Sequence, residues 1–179
     1  YDYVTGTGQT WRELRNAFPL AHVGGVHDHF RADALAGKTG LADKRVSILT
    51  RSAFAGQQRY GANTWSGDVT SSWENLANQI PAALNFSACG IPYWNSDIGG
   101  FFSIGKLKRN DELFIRWMEM NTFSPLMRSH ESIRPWANSQ FDAPAVLPHT
   151  VRLTNIHAAL RQYIERCLEQ ATEGIPVMR

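Results

Sequence analysis

A chain of 179 residues, 43% hydrophobic and 19% charged, carries enough apolar side chain to bury a sizeable core and is not of disordered composition. Its 18 Lys and Arg against 16 Asp and Glu leave a net charge of +2, with no cluster of basic residues to supply the footprint that nucleic acid needs. No apolar stretch approaches the roughly 18 residues of a membrane span, so neither nucleic acid nor a membrane is expected as a partner. Cys89 and Cys167 lie in apolar helical patterns and read first as small hydrophobes, with a bridge between them as the alternative. Beginning at Tyr1, with no initiator Met and no signal peptide, the chain reads as an excerpt of a longer polypeptide.

Tyr1 to Gly8 is polar and Gly-rich and reads as a loop. Leu20 to Phe30 is expected to be a helix weakened by the adjacent Gly24 and Gly25. His27 and His29 invite a metal reading. Residues two apart on a helix point to different faces and no third ligand stands at zinc spacing, so packing or surface roles are favoured and no metal is expected. Ala34 to Asp43 is a polar connection. Arg45 to Thr50 is a β-branched and aliphatic run that suits a strand buried on both faces, and polar chemistry starts at Arg51. A second short apolar run reaches Trp65 and ends on Ser66-Gly67-Asp68.

Ser71 to Glu74 has the spacing of a capping box with Ser71 as the cap. Trp73, Leu76, Ala77, Ile80, Ala83 and Leu84 recur at helical spacing as a core face, and Pro81 is expected to kink or divide the helix. A third strand over Gly90 to Asn95 ends on Ser96-Asp97-Ile98-Gly99-Gly100-Phe101. Asn110 and Asp111 offer a cap for a helix carrying Leu113, Phe114, Trp117 and Met118. A fourth strand is expected over Thr122 to Met127, ending in Arg128-Ser129-His130-Glu131. Pro135 to Pro148 reads as a loop. One last helix carries Leu153, Ile156, Leu160, Tyr163, Ile164, Cys167 and Leu168, closed by Gly174 with Pro176 behind it.

Four β/α units result, with Arg51, Asp68, Asp97 and His130 at the strand ends. Half of an eight-stranded barrel would bring such residues to one mouth. A doubly wound sheet fits less well, because the Gly99-Gly100 pair follows the third strand and lacks the spacing of a dinucleotide-binding turn. By position alone, an Asp shortly before a helix start is more often a cap or turn residue than a catalyst.

Four stretches add a resemblance: Leu49-Thr50-Arg51-Ser52-Ala53-Phe54-Ala55-Gly56-Gln57-Gln58-Arg59-Tyr60; Trp65-Ser66-Gly67-Asp68; Gly90-Ile91-Pro92 with Ser96 to Phe101; and Met127-Arg128-Ser129-His130. In this order and at these distances they resemble glycoside hydrolase family 31, from about Pro19 to Arg179. The resemblance implies an α/β fold, a (β/α)8 TIM barrel of which residues 1–179 are the C-terminal half, roughly strands five to eight with their helices. The half that bears the Asp nucleophile, and the flanking β-domains, would lie outside this chain. The implied activity is that of a retaining exo-α-glycosidase removing terminal xylose or glucose from oligosaccharides, with no cofactor and no metal.

Position by position, Asp68 is similar to the family's general acid/base. A retaining mechanism asks for two carboxylates about 5 to 5.5 Å apart, one attacking the anomeric carbon and one protonating the leaving oxygen. Arg51 resembles an arginine that binds sugar hydroxyls, Asp97 a carboxylate that orients Arg51, and His130 a donor to a ring hydroxyl. Trp65 and Phe101 would line the pocket, where aromatic faces meet the sugar ring. Arg128 would pair with a site carboxylate. Two further readings stand beside hydrolysis: a carbohydrate-binding relative, and a half-barrel that is inactive by itself. Exposed barrel edges would pair with the rest of the parent polypeptide or with a second copy.

Overall fold

The computed structural model describes residues 2–103, 105, 109–132 and 141–179. The chain divides into two compact units, Tyr1–Thr64 and Trp65–Arg179.

In the first unit, α1 (Trp11–Leu14) opens on a capping box: Thr10 Oγ accepts from the Glu13 amide, and the Glu13 carboxylate accepts the Thr10 N–H at 2.9 Å. Helix α2 (Phe18–Leu35) starts with Pro19 in its first turn, where a missing N–H costs nothing. The two glycines do not break it. Gly24 lets the Tyr60 ring approach so closely that a Cβ would stand 2.9 Å from its hydroxyl, whereas Gly25 meets nothing within 4 Å. The His27 ring packs against the same ring, tilted, at 5.3 Å. Arg31 donates to the carbonyls of Ala42 and Lys44 and so ties the polar connection back to α2.

Strand β1 (Ile48–Thr50) is shorter than the apolar run suggests and pairs in parallel with β2 (Ala62–Trp65), Ile48 opposite Ala62 and Thr50 opposite Thr64. No α-helix joins them. A 3-10 turn, Gln57–Tyr60, is bracketed by Gly56 and Gly61, both in the left-handed region. Gln57 is fully buried beneath it and donates to Thr64 Oγ at 2.8 Å.

In the second unit, α3 (Trp73–Ala88) runs unbroken through Pro81 and is capped by Ser72, not Ser71: Ser72 Oγ accepts from the Asn75 amide at 3.2 Å. The Ser71 N–H bonds to the Phe102 carbonyl at 2.9 Å. Of the expected face, Ala83 is buried and Leu76 packs against the core, whereas Trp73, Ile80 and Leu84 are 48, 51 and 41% exposed and Gln79 and Ser87 are buried instead. Strand β3 is only Trp94–Asn95. Helix α4 (Asp111–Asn121) begins at the expected cap, with Asn110 Oδ1 accepting from the Leu113 amide at 2.8 Å. Its Leu113, Phe114, Trp117 and Met118 form the core with Ile98, Val146 and Leu153.

The fourth strand is replaced by bends. Thr122 still bonds back to Met118 as the helix cap, Ser124 Oγ donates to the Trp94 carbonyl, and Pro125 has no N–H for a ladder. What pairing exists is one parallel bridge, Ile98 to Ser129. Of the proline-rich loop, residues 133–140 lie outside the described residues. The last helix is two, α5 (Leu147–Ala159) and α6 (Arg161–Ala171), with Leu160 ending one and starting the other; Leu153, Ile164 and Cys167 are buried and Tyr163 is exposed. Gly174 closes α6 at φ +84°. Cys89 and Cys167 are both free thiols. No helix among the described residues is long and apolar enough to cross a membrane.

Candidate active site

The site grows from the segments that follow β2, β3 and α4, stitched together inside the second unit. Ser66, just after β2, donates its N–H to the Asn95 carbonyl of β3 at 3.1 Å. The chain then turns sharply at Asp68: Val69 N–H bonds to the Gly67 carbonyl at 2.9 Å, a three-residue turn with Gly67 at φ +79°. The Val69 carbonyl accepts from both Phe101 and Phe102, at 2.7 and 3.0 Å, so the loop after β3 docks on the turn that carries Asp68. Gly100, at φ +78°, makes the docking possible, since a Cβ there would stand 2.9 Å from the Ser71 backbone. On the other side Ile98 N–H reaches the Arg128 carbonyl at 3.1 Å and brings in Arg128 to His130.

Asp97 is the buried centre, 1% exposed. Arg128 donates to its carboxylate through Nη2 and to Asn95 Oδ1 through Nε at 3.2 Å, and its guanidinium carbon lies 5.6 Å from the centre of the Trp65 ring. Burial pushes the Asp97 carboxyl above its ordinary value; Arg128, then His130, pull against that, and the nearby charge of Asp68 adds to the rise. Asp68 and Asp97 are thus close enough to feel each other. Asp68 is half-buried and lies four residues before the Ser72 cap, so it does not cap α3.

Behind β3 a buried network fixes the backbone: Trp117 Nε1 donates to Ser96 Oγ at 2.8 Å and Asn121 Nδ2 to the Ser96 carbonyl at 2.9 Å. His130 Nδ1 accepts the Ser132 N–H at 3.0 Å, which leaves the proton of the neutral ring on Nε2 and makes that atom a donor. Ser132 adopts φ +64° to do so, unlike any other non-glycine among the described residues. Phe101 packs edge-on against the imidazole at 4.9 Å.

The second unit therefore brings together Trp65, Asp68, Asp97, Phe101, Arg128 and His130. Arg51 stands just beyond β1 in the first unit and is exposed. Arg59 and Tyr60 pack on each other at 5.3 Å in that unit. The sequence reading missed Ser132, the Trp117–Asn121 support, and Arg109, whose Nη1 donates to the His130 carbonyl at 3.2 Å. Only the apolar spacing of α4 signalled Trp117; a charged run before a helix cap gave no sign of a half-buried arginine. No group of three metal-ligating side chains occurs among the described residues.

Short parallel strands, each ending in polar side chains and followed by a helix or turn, define a piece of an α/β barrel with a carboxylate- and arginine-rich site. The chain belongs to glycoside hydrolase family 31: residues 1–166 match the family's sequence profile, described as the glycosyl hydrolases family 31 TIM-barrel domain. It is 49% identical over 124 residues to an α-xylosidase of Saccharolobus solfataricus, a match covering 69% of this chain and 16% of that enzyme. A family 31 sulfoquinovosidase from E. rectale, solved with an aza-sugar inhibitor, superposes with a TM-score of 0.79 at 30% identity, over 98% of this chain and 27% of the other. A cycloalternan-degrading enzyme from Trueperella pyogenes, solved with a covalent intermediate, gives a TM-score of 0.77 at 27% identity, over 96% and 23% of the two chains. The chain thus spans about a quarter or less of the length of these relatives.

Proposed function

We propose that this chain is the C-terminal half of the catalytic barrel of a retaining exo-α-glycosidase that releases terminal xylose or glucose, with Asp68 as general acid/base. The observation that carries the reading is the placement of Asp68 at the centre of a glycine-assisted three-residue turn that the Phe101–Phe102 segment braces through the Val69 carbonyl. A proton donor must meet the glycosidic oxygen and then activate water at the same place, which a short, braced turn permits and a frayed loop does not. Likeness to a relative solved with a covalent intermediate supports the two-step route, and 49% identity to an α-xylosidase favours xylose or glucose. The attacking carboxylate belongs to the part of the barrel outside this chain, because Asp97 is committed to Arg128. By itself the chain would turn over nothing.

In the other roles, Arg51 and the His130 Nε2 bind sugar hydroxyls. Trp65 and Phe101 line the pocket, and Arg128 with Asp97 keeps its floor in place. No cofactor enters this scheme. The test is Asp68→Ala in the full-length enzyme, assayed on a natural oligosaccharide and on aryl α-xyloside, α-glucoside and α-sulfoquinovoside. A loss of about 10²-fold or more on the oligosaccharide is expected from removing a general acid, with a smaller loss in the first step on the activated aryl substrates. Unchanged oligosaccharide hydrolysis refutes the assignment, and turnover confined to the sulfoquinovoside refutes the sugar.

A further inference from the structure

We propose that Arg109 is a positioning residue of this site, setting the place of His130 and of the Gly99 to Phe101 loop without touching substrate; the proposal rests on the reading of His130 as a hydroxyl donor. Arg109 reaches both segments at once. Its Nη1 donates to the His130 carbonyl at 3.2 Å, and its side-chain stem fills the place where Gly99 has no side chain: a Cβ at Gly99 would stand 2.5 Å from Arg109 Cδ. The guanidinium is itself held, with its carbon 4.7 Å from the centre of the Phe114 ring and the charges of Glu131 and Asp111 nearby, while the Arg109 N–H donates to Ser103 Oγ at 2.7 Å.

The half-buried charge costs desolvation, and among its contacts are the two segments that bear Phe101 and His130. Arg109 fixes the His130 backbone, the Ser132 N–H fixes its Nδ1, and Phe101 abuts its ring at 4.9 Å. Removing the first leaves the ring oriented but misplaced. Displacement of a binding group by about 1 Å is enough to cost on the order of 10²-fold in rate. Lysine keeps the charge and most of the stem but lacks the planar fork that spans carbonyl and aromatic ring.

The experiment is a double-mutant cycle in the full-length enzyme, with kcat and KM measured separately on an aryl α-xyloside and an aryl α-glucoside for Arg109→Ala, Arg109→Lys, His130→Ala and each Arg109 variant combined with His130→Ala. Arg109→Lys should lower kcat/KM by about tenfold or more, divided between kcat and KM as in His130→Ala, and by less than about twofold once His130 is already Ala. Equal losses in both backgrounds overturn the proposal. So does a failure of both Arg109 variants to fold, which assigns the residue to stability. If His130→Ala alone leaves kcat/KM unchanged, the reading of His130 falls and takes this inference with it; a crippling His130→Ala with additive Arg109 losses defeats only the inference.

Discussion

Gly100→Ala separates a backbone effect from a packing effect at the seam of the site. Gly100 and Gly174 share nearly the same left-handed backbone, φ +78° and +84°, and both lie in the second unit. An alanine pays about 1–2 kcal/mol for that conformation at either position. At Gly174 nothing lies within 4 Å of the added Cβ, so the cost stops there. At Gly100 the Cβ would stand 2.9 Å from both Cα and N of Ser71 and 3.0 Å from the Thr70 carbonyl carbon, all backbone, with Ser71 pinned by its bond to the Phe102 carbonyl. Neither side can yield without undoing the contact that docks the Phe101 loop on the Asp68 turn. Overpacking of this kind adds about 1–3 kcal/mol, for a total of roughly 2–5. Urea unfolding of the two full-length variants measures the difference, and kcat/KM on an aryl glycoside should fall at least tenfold for Gly100→Ala and remain near wild type for Gly174→Ala. Equal destabilisation with equal activity would refute the docking of the loop.

Three other perturbations test separate parts. Because burial raises the native Asp97 value above the ordinary 3.8, the folded state holds that proton more tightly than the unfolded one, and stability falls as pH rises from about there through the raised value. Asp97→Asn, which keeps the shape and removes the ionisable group, should flatten that part of the pH–Tm profile; a profile parallel to wild type would contradict the buried carboxylate. Ser72→Ala should cost about 1 kcal/mol in thermal unfolding as a lost cap, while Ser71→Ala should cost nothing, because the buried Ser71 hydroxyl has no hydrogen-bond partner among the described residues; the reverse order would restore the cap to Ser71. Arg51→Lys should lower kcat/KM by well over tenfold with Tm unchanged, as a planar fork is lost and the charge kept; parallel loss of Tm and activity would make it a structural ion pair.

Local chemistry was legible in the sequence, and contacts between distant segments were not. The Asn110 cap follows from the residues beside it, and the structure has it. Spacing pointed to Ser71, with Glu74 three residues on, but the structure caps the helix with Ser72, while the Ser71 N–H bonds to the Phe102 carbonyl some thirty residues on. Apolar spacing ran through Leu160 as though one helix were there, because a break of a single residue hardly disturbs the period. Thr122 to Met127 has strand-like content, but its side chains and Pro125 spend the segment on α4 and on the Trp94 carbonyl. At the site, strand-end positions and motif spacing singled out Trp65, Asp68, Asp97, Phe101, Arg128 and His130, which the second unit brings together. The bracing around them depends on pairs far apart in the chain, such as Arg109 with Gly99 and His130, and on a backbone angle at Ser132 that no residue preference announces.

The central claim, that Asp68 is the acid/base of a retaining reaction, meets its most direct test in azide rescue of the full-length Asp68→Ala variant with an activated aryl α-glycoside. Without the general base, the covalent sugar–enzyme intermediate should form and wait, giving a burst of phenol followed by slow turnover. Azide needs no base to attack, so it should restore the rate and yield the glycosyl azide in the α configuration. A variant that shows no burst and no response to azide, or one that yields the β-azide, would contradict the account.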